Sequence, residues 1–311
     1  MQAMASSRRL VPVASLPFNM LPLMRVDHAA QNMALNFYAS YKTGFKSGGV
    51  DNSILPTAAL QYIKPGFGTE AQRQAALDSV VYNSETAKGG EVGVKAMLAD
   101  RALRINASLY YFVFDDLQVQ NFDGAAVRFL TVNAGEVTTK GFDMDWGWQT
   151  PLDGLRLSGT LGYTDAKFTD TFISSNGPDS TPGTADDVNL DGRRAARAPK
   201  WSGNIAFDWT VPMSDSLELG LNGNAFYSGS YYASNTKFDD YVQGDYVTLD
   251  GSVSIGHPDG KWKFALVGVN LTNEIWANTA GDRPFLPPGG DDRVITQNRG
   301  RQLFVEASFR F

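Results

Sequence analysis

The chain has 311 residues, no cysteine, a formal net charge of -6, and 12% aromatic residues beside 31 glycines. The absence of thiols excludes a disulfide framework, a thiolate zinc site and a cysteine nucleophile, and the acidic balance argues against a nucleic-acid partner, which would want a basic face. No run of ~18 apolar, uncharged residues occurs, so a transmembrane helix is not predicted. A mean hydropathy of -0.23 still suits a β-barrel, in which only alternate residues meet lipid.

At the start of the chain, Arg8 and Arg9 precede an apolar stretch from Leu10 to Met24. Pro12, Pro17 and Pro22 interrupt it, and no small-x-small cleavage site follows, so it makes a poor export signal. Residues 1–34 are therefore expected to be a non-matching segment, disordered or not native coding sequence, with the main unit at 35–311.

From there, period-2 alternation predicts ten strands at about 35–47, 85–98, 102–122, 127–149, 153–171, 200–211, 215–232, 244–257, 261–272 and 300–311. In the seventh, Leu217, Leu219, Leu221, Ala225 and Tyr227 share one face, and Glu218, Asn222, Asn224 and Ser228 the other. In the last, Leu303, Val305, Ala307, Phe309 and Phe311 oppose Phe304, Glu306, Ser308 and Arg310. Tight links such as 99–101, 150–152, 212–214 and 258–260 alternate with long ones such as 48–84, 172–199 and 273–299. Transmembrane barrels show this asymmetry, with short periplasmic turns and long external loops. Soluble sandwiches average only ~5–6 residues per strand. The predicted fold is all-β: a transmembrane antiparallel β-barrel.

Enzyme motifs are absent from the sequence: there is no Gly-x-Ser-x-Gly elbow, no phosphate-binding Walker loop and no His-Glu-x-x-His, and His28 and His257 stand apart. The chain is expected not to be an enzyme and to need no cofactor. Within the loops, Thr69 to Val80 reads as a short helix. Asp187, Asn189 and Asp191, followed by Gly192, fit the opening of a calcium loop, where alternate oxygen side chains converge on one ion. The position where a bidentate glutamate would close that site is Ala198. Arg193, Arg194 and Arg197 could meet an anionic ligand or lipopolysaccharide phosphates, because guanidinium pairs phosphate bidentately. Tyr231 and Tyr232, with Phe238 and Tyr241, suit an interfacial girdle or ligand stacking. The segment 282–293 could line a vestibule.

Several stretches resemble one family when read in order. Tyr38-Ala39-Ser40-Tyr41-Lys42-Thr43-Gly44-Phe45-Lys46-Ser47-Gly48-Gly49, Asn133-Ala134-Gly135-Glu136 running on to Lys140-Gly141-Phe142-Asp143, Arg197-Ala198-Pro199-Lys200-Trp201, and Asn270-Leu271-Thr272-Asn273 are similar to segments of TonB-dependent outer-membrane receptors. The resemblance spans about residues 35–311. It implies a barrel of about 22 strands around a plug, of which about ten are present here. It also implies capture of a scarce nutrient such as a ferric siderophore or similar iron chelate, with uptake energised through TonB in the intact protein. On that reading the chain is a fragment lacking plug and TonB box, and would touch TonB only through the missing N-terminal region. Outer-membrane lipid, lipopolysaccharide and a small-molecule or metal-chelate ligand are the other implied partners. The last strand resembles the signal read by the outer-membrane barrel assembly machinery, with Phe309 and Phe311 as its key residues. The alternatives are a small passive porin or structural barrel, and a soluble β-rich adhesin or binding module.

Overall fold

An alternating strand has two chemically different faces, and antiparallel pairing sets like faces opposite one another. The computed structural model, which describes residues 20–26, 33–51, 69–72, 74, 81–123, 128–175, 188–234, 241–282 and 293–310, shows one sheet built on that rule. Its strands are β1 (Met20–Val26), β2 (Ala34–Lys46), β3 (Glu85–Leu98), β4 (Leu103–Asp115), β5 (Val137–Gln149), β6 (Leu155–Phe168), β7 (Trp201–Ser214), β8 (Leu217–Ser228), β9 (Tyr246–Gly256), β10 (Trp262–Val269) and β11 (Gln302–Phe309). Each pairs antiparallel with the next along the chain, and the order runs from β1 at one edge to β11 at the other.

All ten predicted strands are present, and β1 adds an eleventh. β1 pairs from Met20↔Ser40 to Val26↔Leu35, with a register shift between Pro22 and Met24. Proline hides such a strand from pattern reading, yet an edge strand tolerates it because one side of the ladder is unused.

Several predicted segments overrun their ladders, and at two places the reason is visible. The ladder that begins at Leu103 stops at Asp115, because Asp116 takes a left-handed φ of 55° and Gly135 opposite it takes 64°. Beyond that kink, Leu117 N–H donates to Gly135 O at 3.1 Å, and a separate ribbon forms from Gln118–Asp123 and Arg128–Asn133. Likewise β10 ends at Val269, where Asn270 has a φ of 51°. The buried Asn270 amide donates to Glu274 O at 2.8 Å and Arg299 O at 3.2 Å, and its oxygen accepts from Glu274 N–H at 2.9 Å. This clasp folds Leu271 back over Gly268, whose missing side chain leaves the room: a Cβ there would lie 2.5 Å from Leu271 Cδ2.

The connections sort by side. Residues 99–102, 150–154, 215–216 and 257–261 are tight turns, with Ala99, Asp100, Arg101, Gly154 and Gly260 at positive φ. Every connection on the other side carries a small two-stranded ribbon: Gly49–Val50 with Val81–Tyr82, Gln118–Asp123 with Arg128–Asn133, Ile173–Ser175 with Val188–Asn189, Tyr231–Tyr232 with Val242–Gln243, and Ala277–Asp282 with Arg293–Gln297. Short periplasmic turns and elaborated external loops are the transmembrane-barrel arrangement. The predicted helix survives over Glu70–Gln72 and at Gln74, where Thr69 and Gln72 cap each other reciprocally: Thr69 N–H donates to Gln72 Oε1 at 2.8 Å and Gln72 N–H to Thr69 Oγ1 at 3.3 Å.

Burial falls where a membrane barrel would put it. On the outward face, Leu303 and Val305 are 65% and 82% exposed, a costly apolar surface in water and an ordinary one in lipid. Among the described residues, two buried apolar clusters lie at the external ends of the strands and in the ribbons beyond them. One joins Ala134, Val137, Phe168 and Leu190; the other joins Tyr231, Ala233, Tyr241 and Tyr246.

Candidate functional site at the inner wall and outer mouth

Register decides which side chains share the inward face. The pairs Asn36↔Lys95, Tyr38↔Gly93, Asn106↔Asp145, Thr160↔Asn204, Asn204↔Phe226 and Asn222↔Ser252 all fall there. Polar side chains on this face form a wall of several separate hydrogen-bonded groups. In one group, Glu91 accepts from Tyr38 Oη at 2.5 Å and from Lys42 Nζ at 2.8 Å. The Lys95 ammonium lies 5.5 Å from the centre of the Tyr38 ring, a cation–π contact. Asp145 pairs with Arg104 at 2.9 Å and accepts from Asn106 Nδ2. Further round the sheet, Thr160 Oγ1 donates to Asn204 Oδ1 at 2.6 Å, Asn204 Nδ2 to Asn224 Oδ1 at 2.8 Å, and Asn222 Nδ2 to Ser252 Oγ at 2.7 Å. An open groove of about 480 Å³ runs along this wall between Tyr38, Lys95, Ser108, Asp143, Asp145 and Thr160. Tyr38 lies flat only because Gly93 faces it; a Cβ there would be 2.5 Å from the ring.

This wall was not legible as a site. Tyr38 and Lys42 are two same-face steps apart, which a period of 2 reveals. Their shared partner Glu91 depends on the β2–β3 register, which no local pattern supplies.

The predicted mouth residues divide. Arg194, Arg197, Tyr231 and Tyr232 come together at the seam of two external connections. The Arg194 guanidinium is 5.2 Å from the Tyr232 ring centre and donates to Ser230 O at 3.3 Å. Arg197, at a φ of 57°, donates its N–H to Tyr232 O at 2.8 Å. Tyr231 is buried, and its hydroxyl donates to Ala277 O at 2.7 Å. Burial, and after it the neighbouring Tyr246, pushes the Tyr231 phenol up to about 12. Arg193 closes a turn instead, its N–H donating to Leu190 O at 2.8 Å and its carbonyl accepting from Phe168 N–H at 3.0 Å. Near Tyr231, Trp276 stacks on Tyr246 with ring centres 4.7 Å apart.

In the predicted calcium loop, Asn189 Oδ1 accepts from Asp191 N–H at 3.0 Å, a side-chain-closed turn. Leu190 between them is fully buried and anchors the loop. Asp187 lies outside the described residues, and among those described no group of three or more acidic, histidine or cysteine side chains is placed to hold a metal ion. At the C-terminus, Phe309 faces outward opposite Trp262 and meets Phe264 edge-on at 5.6 Å. Phe311 lies outside the described residues.

An antiparallel meander that is apolar outward, hydrogen-bonded and charged inward, tightly turned at one end and elaborated at the other defines a transmembrane β-barrel. The model of the TonB dependent receptor-like β-barrel family matches residues 10–273, and the chain belongs to that family. It is accordingly a barrel protein of the Gram-negative outer membrane. The ferrichrome outer membrane transporter/phage receptor of Escherichia coli K12 is 24% identical over 266 residues, covering 84% of this chain and 30% of that protein. The ferric yersiniabactin uptake receptor of Yersinia pestis superposes with a TM-score of 0.61 at 15% identity, over 90% of this chain and 35% of its own. A siderophore receptor of Acinetobacter baumannii gives 0.58 at 18% identity, over 90% and 34%. The likeness to these solved structures is one of fold, and the chain spans about a third of the length of the relatives it matches.

Proposed function

We propose that this chain forms part of the wall of an outer-membrane uptake receptor for a metal chelate, a ferric siderophore or close analogue. The observation that carries the reading is the inward polar wall, with the Glu91 ion pair among its groups, set in a sheet whose other face is mainly apolar. A hydrogen-bonded, charged lumen suits passage of a hydrophilic chelate, and the ribboned external side suits its capture. The relatives named for ferrichrome, ferric yersiniabactin and siderophores support that substrate class. Coupling to TonB is proposed as the energy source, since binding to the inner wall does not by itself move a solute inward. The barrel assembly machinery is the proposed partner in insertion, read through Phe309 on the outward face of the last strand and the terminal Phe311 that follows it in sequence.

The test is uptake of radioactive iron as a chelate panel, in cells whose other chelate receptors are deleted, with and without TonB. Uptake of one chelate that disappears without TonB supports the reading. Uptake that persists without TonB, or a steady ion conductance in planar bilayers, would favour a passive pore instead.

A further inference from the structure

Around the inward groove, most charges already have partners. Glu91 holds Lys42 at 2.8 Å, and Asp145 holds Arg104 at 2.9 Å. Lys95 and Asp143 are different. Among the described residues, neither makes a hydrogen bond or an ion pair. The Lys95 ammonium lies over the Tyr38 ring instead, 5.5 Å from its centre. Both residues are exposed, and both line the groove of about 480 Å³.

Register fixes how these two charges stand. Lys95 on β3 pairs with Asn106, and Asp143 on β5 pairs with Ser108, so they lie diagonally across β4. Two strand spacings of ~4.8 Å and one same-face step of ~6.8 Å set their backbones ~12 Å apart. The space between them is kept clear. Ser108 is small, and Gly162, the register partner of Asp143, has no side chain; a Cβ there would lie 3.3 Å from Asp143 Oδ1. The Tyr38 ring adds an apolar surface beside the cation.

A single unpaired charge on a wetted wall is ordinary. A cation and an anion held apart in one groove, beside an aromatic ring, are the complement of a molecule that carries both charges. We propose that this groove selects a zwitterionic solute, with a free carboxylate toward Lys95 and a free ammonium toward Asp143. Its link to transport rests on the uptake reading, in which the solute becomes a metal chelate of the amino-carboxylate class. Lys95 and Asp143 are then specificity-determining residues, and a chelate with anionic groups alone meets Asp143 as a repulsive neighbour.

The full chain, folded in uncharged detergent micelles, would be titrated with ε-aminocaproate, a flexible zwitterion, and binding read by ligand-observed NMR. Two capped probes control for each charge: N-acetyl-ε-aminocaproate lacks the ammonium, and ε-aminocaproamide lacks the carboxylate. Each cap is expected to weaken binding about fivefold, the upper end for a solvent-exposed ion pair. Lys95→Gln should make the zwitterion and its amide bind alike while the preference over the acetylated probe persists. Asp143→Asn should do the reverse. The preference each variant keeps shows that its groove is still formed. Equal binding of all three probes by the wild type would overturn the proposal, as would a variant that keeps the preference its lost charge should confer. Neither iron nor TonB enters the measurement, so its failure leaves the uptake reading standing, and absence of chelate uptake in cells would leave the charge selectivity standing.

Discussion

Replacing Glu91 by leucine would remove the acceptor that Tyr38 and Lys42 share on the inner wall. Glu91 receives Tyr38 Oη at 2.5 Å and Lys42 Nζ at 2.8 Å. A hydrogen bond to a charged partner contributes ~1.5–3 kcal/mol where water is excluded. The Lys42 side chain is 36% exposed and that of Glu91 19%, so solvent screening reduces the ion pair to ~0.5 kcal/mol. The Tyr38 bond retains ~1.5 kcal/mol, near the low end of its range. The sum is ~2 kcal/mol, and with an m-value of ~2 kcal/mol/M the urea midpoint should fall by ~1 M. Reversible unfolding from lipid vesicles would measure it. A double-mutant cycle separates the two bonds: Glu91→Leu with Tyr38→Phe should show coupling of ~1–1.5 kcal/mol, and Glu91→Leu with Lys42→Met ~0.5 kcal/mol or less. Coupling to Tyr38 within ~0.3 kcal/mol of zero would refute the reasoning, because it would mean that the hydroxyl gains nothing from the carboxylate.

Leu190 is fully buried among Ala134, Val137 and Phe168, so Leu190→Ala should cost ~2–5 kcal/mol; faster protease cleavage between residues 170 and 195, with the barrel strands still protected, is the expected readout. The Tyr231 phenol, held up at about 12 by burial in its external cluster, should remain protonated when ordinary tyrosines ionise near pH ~10. Its folded pKa is raised, so its contribution to stability is complete below pH ~10 and is lost as pH rises through about 12; the phenolate absorbance of wild type and Tyr231→Phe should diverge only near that upper value. Deleting Phe311 should lower surface levels of the intact receptor, measured by outer-membrane fractionation against an unchanged total; unchanged surface levels would count against an assembly role for the last strand.

Strand faces were legible because each depends on neighbours two residues apart. Leu219, Leu221 and Asn222 declare their sides without any knowledge of what they pair with, and β8 shows them as read. Strand ends were less legible. Asp116 and Asn270 stop their ladders through a left-handed backbone, which asparagine and aspartate permit but do not require. β1 was missed because its proline, Pro22, breaks the pattern at an edge that does not need the missing donor. The Glu91 wall depended on register, and register emerges only when whole strands align. Of the residues singled out near the mouth, Arg194, Arg197, Tyr231 and Tyr232 converge, a juxtaposition of two separate loops that no local pattern declares. Tyr231, however, is turned into packing with Ala277 behind it, a consequence of the external ribbons folding on one another.

The central claim is that alternate residues of one sheet face lipid and a polar lumen. Because the chain contains no cysteine, a single introduced thiol reports its own position. A cysteine scan along β8 from Leu219 to Tyr227, in the protein inserted into vesicles, is the most direct test. Positions 219, 221, 223, 225 and 227 should yield spin labels relaxed by oxygen dissolved in the lipid. Positions 220, 222, 224 and 226 should yield labels relaxed by a water-soluble nickel chelate. A two-residue period in opposite phase for the two relaxers is the predicted result; a flat profile, or nickel access at every position, would contradict the membrane-spanning wall.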